Sequence, residues 1–179
     1  MRNVKTEFNN KALLVIDVQP TYCAPDGWHN QEAAETAKEL ASIVPEFRDA
    51  GVPVYVIYYD KKKRSIDNID FYQFEPKDTD IPIAKNDDSA FRGSNIDKVL
   101  KTNGHTELWV TGFNHNVCVY KTVMDALKKK YEVKVLKDLT GNETINDPFG
   151  DEHESYSKIM EKAGATITNS QTVLKSLKR

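Results

Sequence analysis

The chain has 179 residues, 39% hydrophobic and 29% charged, and its 25 Lys+Arg against 27 Asp+Glu leave a formal charge of -2. That is one domain's worth of chain, predicted to span 1–179, and the composition excludes a disordered or collagen-like protein. The balanced charge offers no basic stripe to a phosphate backbone, so nucleic acid is not an expected partner.

Residues 11–17 (KALLVID) form a continuous apolar run ending in an acid, the pattern of a strand covered on both faces. Ala33, Ala37, Leu40, Val44 and Phe47 then recur at helical spacing over 31–49, with Pro45 predicted to bend or divide that helix and Gly51 to end it. A second strand follows at 52–59 (VPVYVIYY). Residues 60–80 show no clean period and predict a long surface excursion of the kind that shapes binding sites. A short strand at 81–84 leads to KNDDSAFRGS, where Ser94 and Asp97 predict a capping box opening a helix over 95–103. LWVT at 108–111 is the next strand, and GFNHN at 112–116 turns into a helix with Val117, Tyr120, Met124, Leu127 and Tyr131 on one face. A strand at 133–136, a helix at 152–163, a last strand at 165–168 and a short helix near 170–177 complete the chain.

Strands alternating with crossover helices predict a three-layer α/β/α fold around a mostly parallel, doubly wound sheet of about six strands. The ligand crevice of such sheets lies beyond the carboxyl ends of the strands. Asp17, the segment after Ala84 and the turn after Thr111 all fall at such ends. Apolar runs at 12–16 and 54–59 are far shorter than the ~20 residues that cross a bilayer, so no membrane contact is expected. The first eleven residues lack a secretory pattern, which predicts a cytoplasmic chain, and the two cysteines, Cys23 and Cys118, are expected as free thiols.

Three residue types converge on one chemistry. Cys118 lies where a turn becomes a helix, and unpaired N–H groups there favour a thiolate. Asp17, closing an apolar strand, is placed to accept and return the thiol proton. Lys85, after the third strand, is placed to hold carboxylate and thiolate ionised. Each has a plainer reading: an inert buried cysteine, a capping carboxylate, a solvated lysine.

KALLVIDVQ at 11–19, Lys85 followed by SAFRGS, and GFNHNVCVYKTVMDALKKKYEVKVLKD at 112–138 together resemble the isochorismatase-like cysteine hydrolase superfamily. The resemblance runs over roughly residues 11–168 and keeps the order of the three positions. It implies a triad of Asp17, Lys85 and Cys118, a non-proline cis peptide between Phe113 and Asn114, and an oxyanion hole from the N–H groups of Asn114 and Cys118. The implied activity is hydrolysis of a C–N bond in a small polar amide or carbamoyl compound through a thioester, with cleavage of a vinyl ether or ligand binding without turnover as alternatives. It also implies a homo-oligomer.

Where nicotinamidases of the superfamily carry an aspartate and two histidines, YYDKKKR at 58–64 has an acid and no imidazole, and His29, His105, His115 and His153 show no ligand spacing. No metal and no other cofactor is therefore expected, and the only expected partner of the site is a small-molecule substrate. Gln19, Tyr22, Phe91 and His115 are candidate substrate contacts by location. Cys23 is expected to pack near the site, and no CxxC spacing favours a thiol redox protein.

Overall fold

Every residue of strand β1 (Lys11–Ile16) after Lys11 is buried, as a strand covered on both faces must be. Its side chains alternate: Ala12, Leu14 and Ile16 enter one core, Leu13 and Val15 the other. The protein is described by a computed structural model over residues 10–25, 31–141 and 155–178. Strands β2 (Val54–Tyr59), β3 (Ile81–Lys85), β4 (Glu107–Gly112), β5 (Glu132–Thr140) and β6 (Thr166–Thr168) join β1 in one sheet of order β3-β2-β1-β4-β5-β6. All neighbours in it are parallel.

A one-turn helix α1 (Pro20–Cys23) follows β1, and α2 (Gln31–Asp49) crosses to β2. Helices α3 (Ile96–Thr102), α4 (Tyr120–Lys128), α5 (Tyr156–Ala163) and α6 (Ser170–Leu177) complete the layers. Ala33, Ala37, Leu40, Val44 and Phe47 of α2 pack with Val173 and Leu174 of α6 on one face of the sheet. Ile96, Leu100, Val123, Ala126 and Met160, from α3 to α5, fill the other. Among the described residues no helix is long and apolar enough to cross a membrane.

The doubly wound α/β/α prediction holds, and its differences are local. Helix α2 runs unbroken through Pro45, because the lost N–H falls in a helix whose apolar face is held by packing along its length. No capping box forms at Ser94: its hydroxyl donates to Ala90 O and accepts from Ile96 N, while Asp97 pairs with Lys101, Lys129 and Tyr131. Strand β5 extends to Thr140, past the predicted 136, after a register shift between Val110 and Gly112. Of the predicted helix 152–163, residues 152–154 lie outside the described residues, as do His29 and His153, and α5 starts after Ser155, whose hydroxyl caps Lys158 N. The 60–80 excursion is pinned rather than loose. Phe71 packs edge-on between Tyr58 and Phe74, Tyr72 N donates to Val18 O, and Arg48 holds Asp80 with two nitrogens.

Strand order reverses at β1, whose crossover leads outward to β2 while β4 lies on its other side. The carboxyl edge between β1 and β4 is thus the switch point at which an open α/β sheet offers a crevice.

Candidate active site

Ile16 and Gly112 end β1 and β4 side by side. Only glycine fits at 112: φ is +107° and a Cβ would fall on the Ile16 carbonyl oxygen. Directly after β1, Asp17 takes φ +52°, a left-handed conformation that Asp tolerates better than most residues, while its N–H donates to Ile57 O at 2.8 Å. The bend brings its carboxyl to the last residue of β3, where Lys85 Nζ stands 2.8 Å from Asp17 Oδ2. Lys85 Nζ also donates to Asp87 O at 3.0 Å and lies 5.2 Å from the centre of the Tyr59 ring.

The third arm comes from β4. The Phe113–Asn114 peptide is cis, and the buried Phe113 ring lies where a side chain on Gly141 would collide with it. His115–Val119 then form a π-helical turn ahead of α4, a rare geometry that concentrates at functional sites. Val117 and Val119 both donate to Asn114 O at 3.1 Å. Within that turn the Cys118 sulfur comes to 3.7 Å from Lys85 Nζ and within hydrogen-bonding reach of the Asp17 carboxyl. The three side chains predicted from the sequence therefore meet in one place.

The site is dry. Asp17 and Lys85 are 0% exposed and Cys118 is 6% exposed. Burial, opposed by Lys85, holds the Asp17 carboxyl above the usual carboxylate range. Burial also pulls on the Lys85 ammonium, but Asp17 and Cys118 outweigh it and the net direction is up, so Lys85 stays charged. The Cys118 thiol is pushed up to about 12, by burial first and by Asp17 second, with Lys85 opposing. The preference for a thiolate expected at a helix start is outweighed by desolvation and a neighbouring acid, so Cys118 rests as the thiol whose proton Asp17 is placed to accept. Lys85 meets Asp17 as an ion pair by distance, and neither carboxylate oxygen accepts a fully aligned hydrogen bond from the described residues. Lone pairs of Asp17 thus remain open to the thiol proton.

The four predicted substrate contacts have different surroundings. Tyr22 is half-buried; its phenol is pushed up by burial and then by the charges of Asp17 and Cys118. Gln19 instead clamps the strand ends, its amide donating to Tyr59 O at 3.1 Å and accepting from Tyr59 N at 2.7 Å. Phe91 packs on Tyr131, with the Lys129 ammonium 6.0 Å from its ring centre, both partners lying just past the carboxyl end of α4. His115 is fully buried between Thr140 and Ser157. Cys23 packs in the core as expected, its thiol donating to Gln19 O and pushed up to about 12 by burial and by Asp17.

Residues the sequence reading passed over stand around the sulfur. Lys121, one turn beyond Cys118, pairs with the half-exposed Asp88 at 2.5 Å, and Asp88 raises both Asp17 and Cys118. The i,i+3 spacing from Cys118 could have flagged Lys121. The loop that carries Asp88 is fastened to α4, with Ala90 N donating to Thr122 Oγ1 and Arg92 forking onto Asp125. A cleft of about 340 Å³, lined by residues such as Ile66, Phe71 and Pro82, is not lined by Asp17, Lys85 or Cys118. Charge and geometry mark the candidate site.

Residues 11–172 match the isochorismatase domain. The chain belongs to the isochorismatase family. An uncharacterized isochorismatase family protein of Bacillus subtilis, YddQ, is 23% identical over 92% of this chain and 98% of its own. N-carbamoylsarcosine amidase of an Arthrobacter species is 25% identical over 88% of this chain and 60% of its own. An isochorismatase family protein of Desulfovibrio vulgaris superposes with a TM-score of 0.78 at 21% identity, covering 95% of this chain and 99% of that one. This isochorismatase-family chain is thus a hydrolase by kinship, with an amidase among its relatives.

Proposed function

We propose that this isochorismatase-family hydrolase cleaves a C–N bond of a small polar amide or carbamoyl compound, with Cys118 as nucleophile. One observation carries the reading: a single buried ammonium, Lys85, stands within reach of both a carboxylate and a thiol. Moving the proton from Cys118 to Asp17 creates no net charge in the dry pocket; it shifts the negative charge from oxygen to sulfur, and Lys85 attends both ends. The thiolate forms a C–S bond to the carbonyl carbon, and the C=O electron pair moves onto oxygen, facing the N–H groups of Asn114 and Cys118. Collapse breaks the C–N bond, and the departing nitrogen takes the proton held by Asp17. Water then gives a proton to Asp17 and attacks the thioester; collapse releases the acid, and the proton returns to sulfur.

The similarity to N-carbamoylsarcosine amidase supports the substrate class without fixing the substrate. A mass-spectrometric panel of small amides, ureas and carbamoyl compounds tests it. The wild type is expected to turn over at least one and to carry an acyl mass on Cys118, while Cys118→Ala loses on the order of 10⁴-fold or more in turnover. Wild-type turnover in Cys118→Ala would overturn the thiol mechanism.

A further inference from the structure

His115 has no exposed surface and is held on three sides. Its main-chain N–H donates to Gly141 O at 2.8 Å, its Nδ1 lies 2.9 Å from Thr140 Oγ1, and its Nε2 lies 3.0 Å from Ser157 Oγ. The partners identify the tautomer. The Thr140 hydroxyl has one proton and gives it to Lys137 O at 3.0 Å, so it accepts from His115 and Nδ1 carries the ring proton. In the neutral ring Nε2 then accepts from the Ser157 hydroxyl.

These bonds fasten a particular piece of backbone. His115 lies between Asn114 and Cys118, whose N–H groups are the proposed oxyanion donors. The contacts of the turn through Asn114 O are local to it. The side-chain oxygens of Asn114 and Asn116 accept no hydrogen bond from the described residues. The imidazole, by contrast, ties the turn to the end of β5 and to the first turn of α5. We propose that His115 is a positioning residue, locking the turn of Asn114 and Cys118 to β5 and α5 so that the two donors are aimed before substrate arrives. The proposal rests on the thiol mechanism above. A backbone donor displaced from the oxyanion leaves thiol and substrate binding in place but weakens a contact made in the transition state.

The test compares two reactions of the same sulfur. In acylation by p-nitrophenyl acetate, the thiolate forms the C–S bond, p-nitrophenolate leaves with the bonding pair, Asp17 keeps the thiol proton, and the step passes through an oxyanion. Alkylation by iodoacetamide displaces iodide and needs no oxyanion hole. His115→Ala is expected to slow acylation by about 10–100-fold, less than the ~10²–10³ for deleting a donor outright, while alkylation is unchanged. His115→Asn, whose amide nitrogen takes the place of Nδ1, is expected to restore most of the acylation rate, and Thr140→Val to reproduce part of the loss. Ser157→Ala and Thr140→Val carry the comparison if His115→Ala does not fold. Acylation that is unaltered, or that falls in step with alkylation, would overturn the positioning role. A wild type that shows no Cys118-dependent acylation would instead remove the thiol mechanism itself.

Discussion

The two ends of the central strands hold the same ingredients and treat them oppositely. At the amino edge, Glu107 opens β4 beside Lys11 and Lys134; at the carboxyl edge, Asp17 follows β1 beside Lys85. Burial raises both carboxyls, yet Glu107 receives Lys134 at 2.5 Å and the Trp109 indole at 2.7 Å on Oε1, and these donors, with Lys11, bring it below the ordinary carboxylate range. Asp17 has one cation and no aligned donor among the described residues, so burial wins and it stays above that range. Depth of burial and the count of donors, not the presence of a lysine, separate a carboxylate fixed as an ion from one ready to take a proton.

The largest way to break that contrast is to remove each acid's charge. Asp17→Asn leaves the fully buried Lys85 without its counter-ion, and losing one partner of such a pair typically costs ~3–5 kcal/mol. The variant is expected to lose activity and keep its fold, and the burial of Lys85 adds a large fall in melting temperature. Glu107→Gln keeps an acceptor for Trp109 and frees a partly exposed Lys134, so its expected cost is nearer ~1 kcal/mol. Thermal unfolding of both, with Asp17→Asn/Lys85→Met beside them, measures the difference. The double variant is expected to recover much of the stability lost by Asp17→Asn, and a Glu107→Gln loss as large as that of Asp17→Asn would dissolve the contrast.

Titration sharpens it next. Glu107, lowered in the folded state, contributes stability that is present above its unfolded value and lost as pH falls through the folded one. Because the proposed mechanism needs Asp17 ionised to accept the thiol proton, the acid limb of kcat/KM is expected above the ordinary carboxylate range. Lys85 lowers Asp17, so residual activity in Lys85→Met should show that limb moved further up. A limb that stays put would separate Lys85 from the ionisation of Asp17.

How much of this was legible in the sequence depends on whether a property is local. The apolar run of β1, the helical spacing of α2 and the turn before Cys118 carry their own signal, and with strand alternation they place Asp17, Lys85 and Cys118 on one edge. What each side chain touches across the sheet carries no such signal. Gln19 and His115 were assigned to substrate because they neighbour the triad in sequence, whereas Gln19 spends both ends of its amide on Tyr59 and His115 both ring nitrogens on Thr140 and Ser157. The resting state of the thiol was not legible for the same reason. A helix start is visible in a sequence, but desolvation by the surrounding layers is not.

The smallest expected effect lies at the exposed rim. Asp88 and Lys121 make an ion pair like that of Asp17 and Lys85, but their side chains are 47% and 42% exposed, so breaking it changes stability by no more than ~1 kcal/mol. Their influence on the sulfur has opposite signs. Asp88 raises Cys118, and the charge of Cys118 in turn supports the Lys121 ammonium, which by reciprocity favours the thiolate. At mildly alkaline pH and low salt, Asp88→Asn is therefore expected to speed alkylation of Cys118 by iodoacetamide and Lys121→Met to slow it. Both changes should shrink as ionic strength shortens the ~10 Å Debye length found near 0.1 M. Rates that move the same way in both variants, or that ignore salt, would show that the pair acts on the sulfur by shape instead of charge.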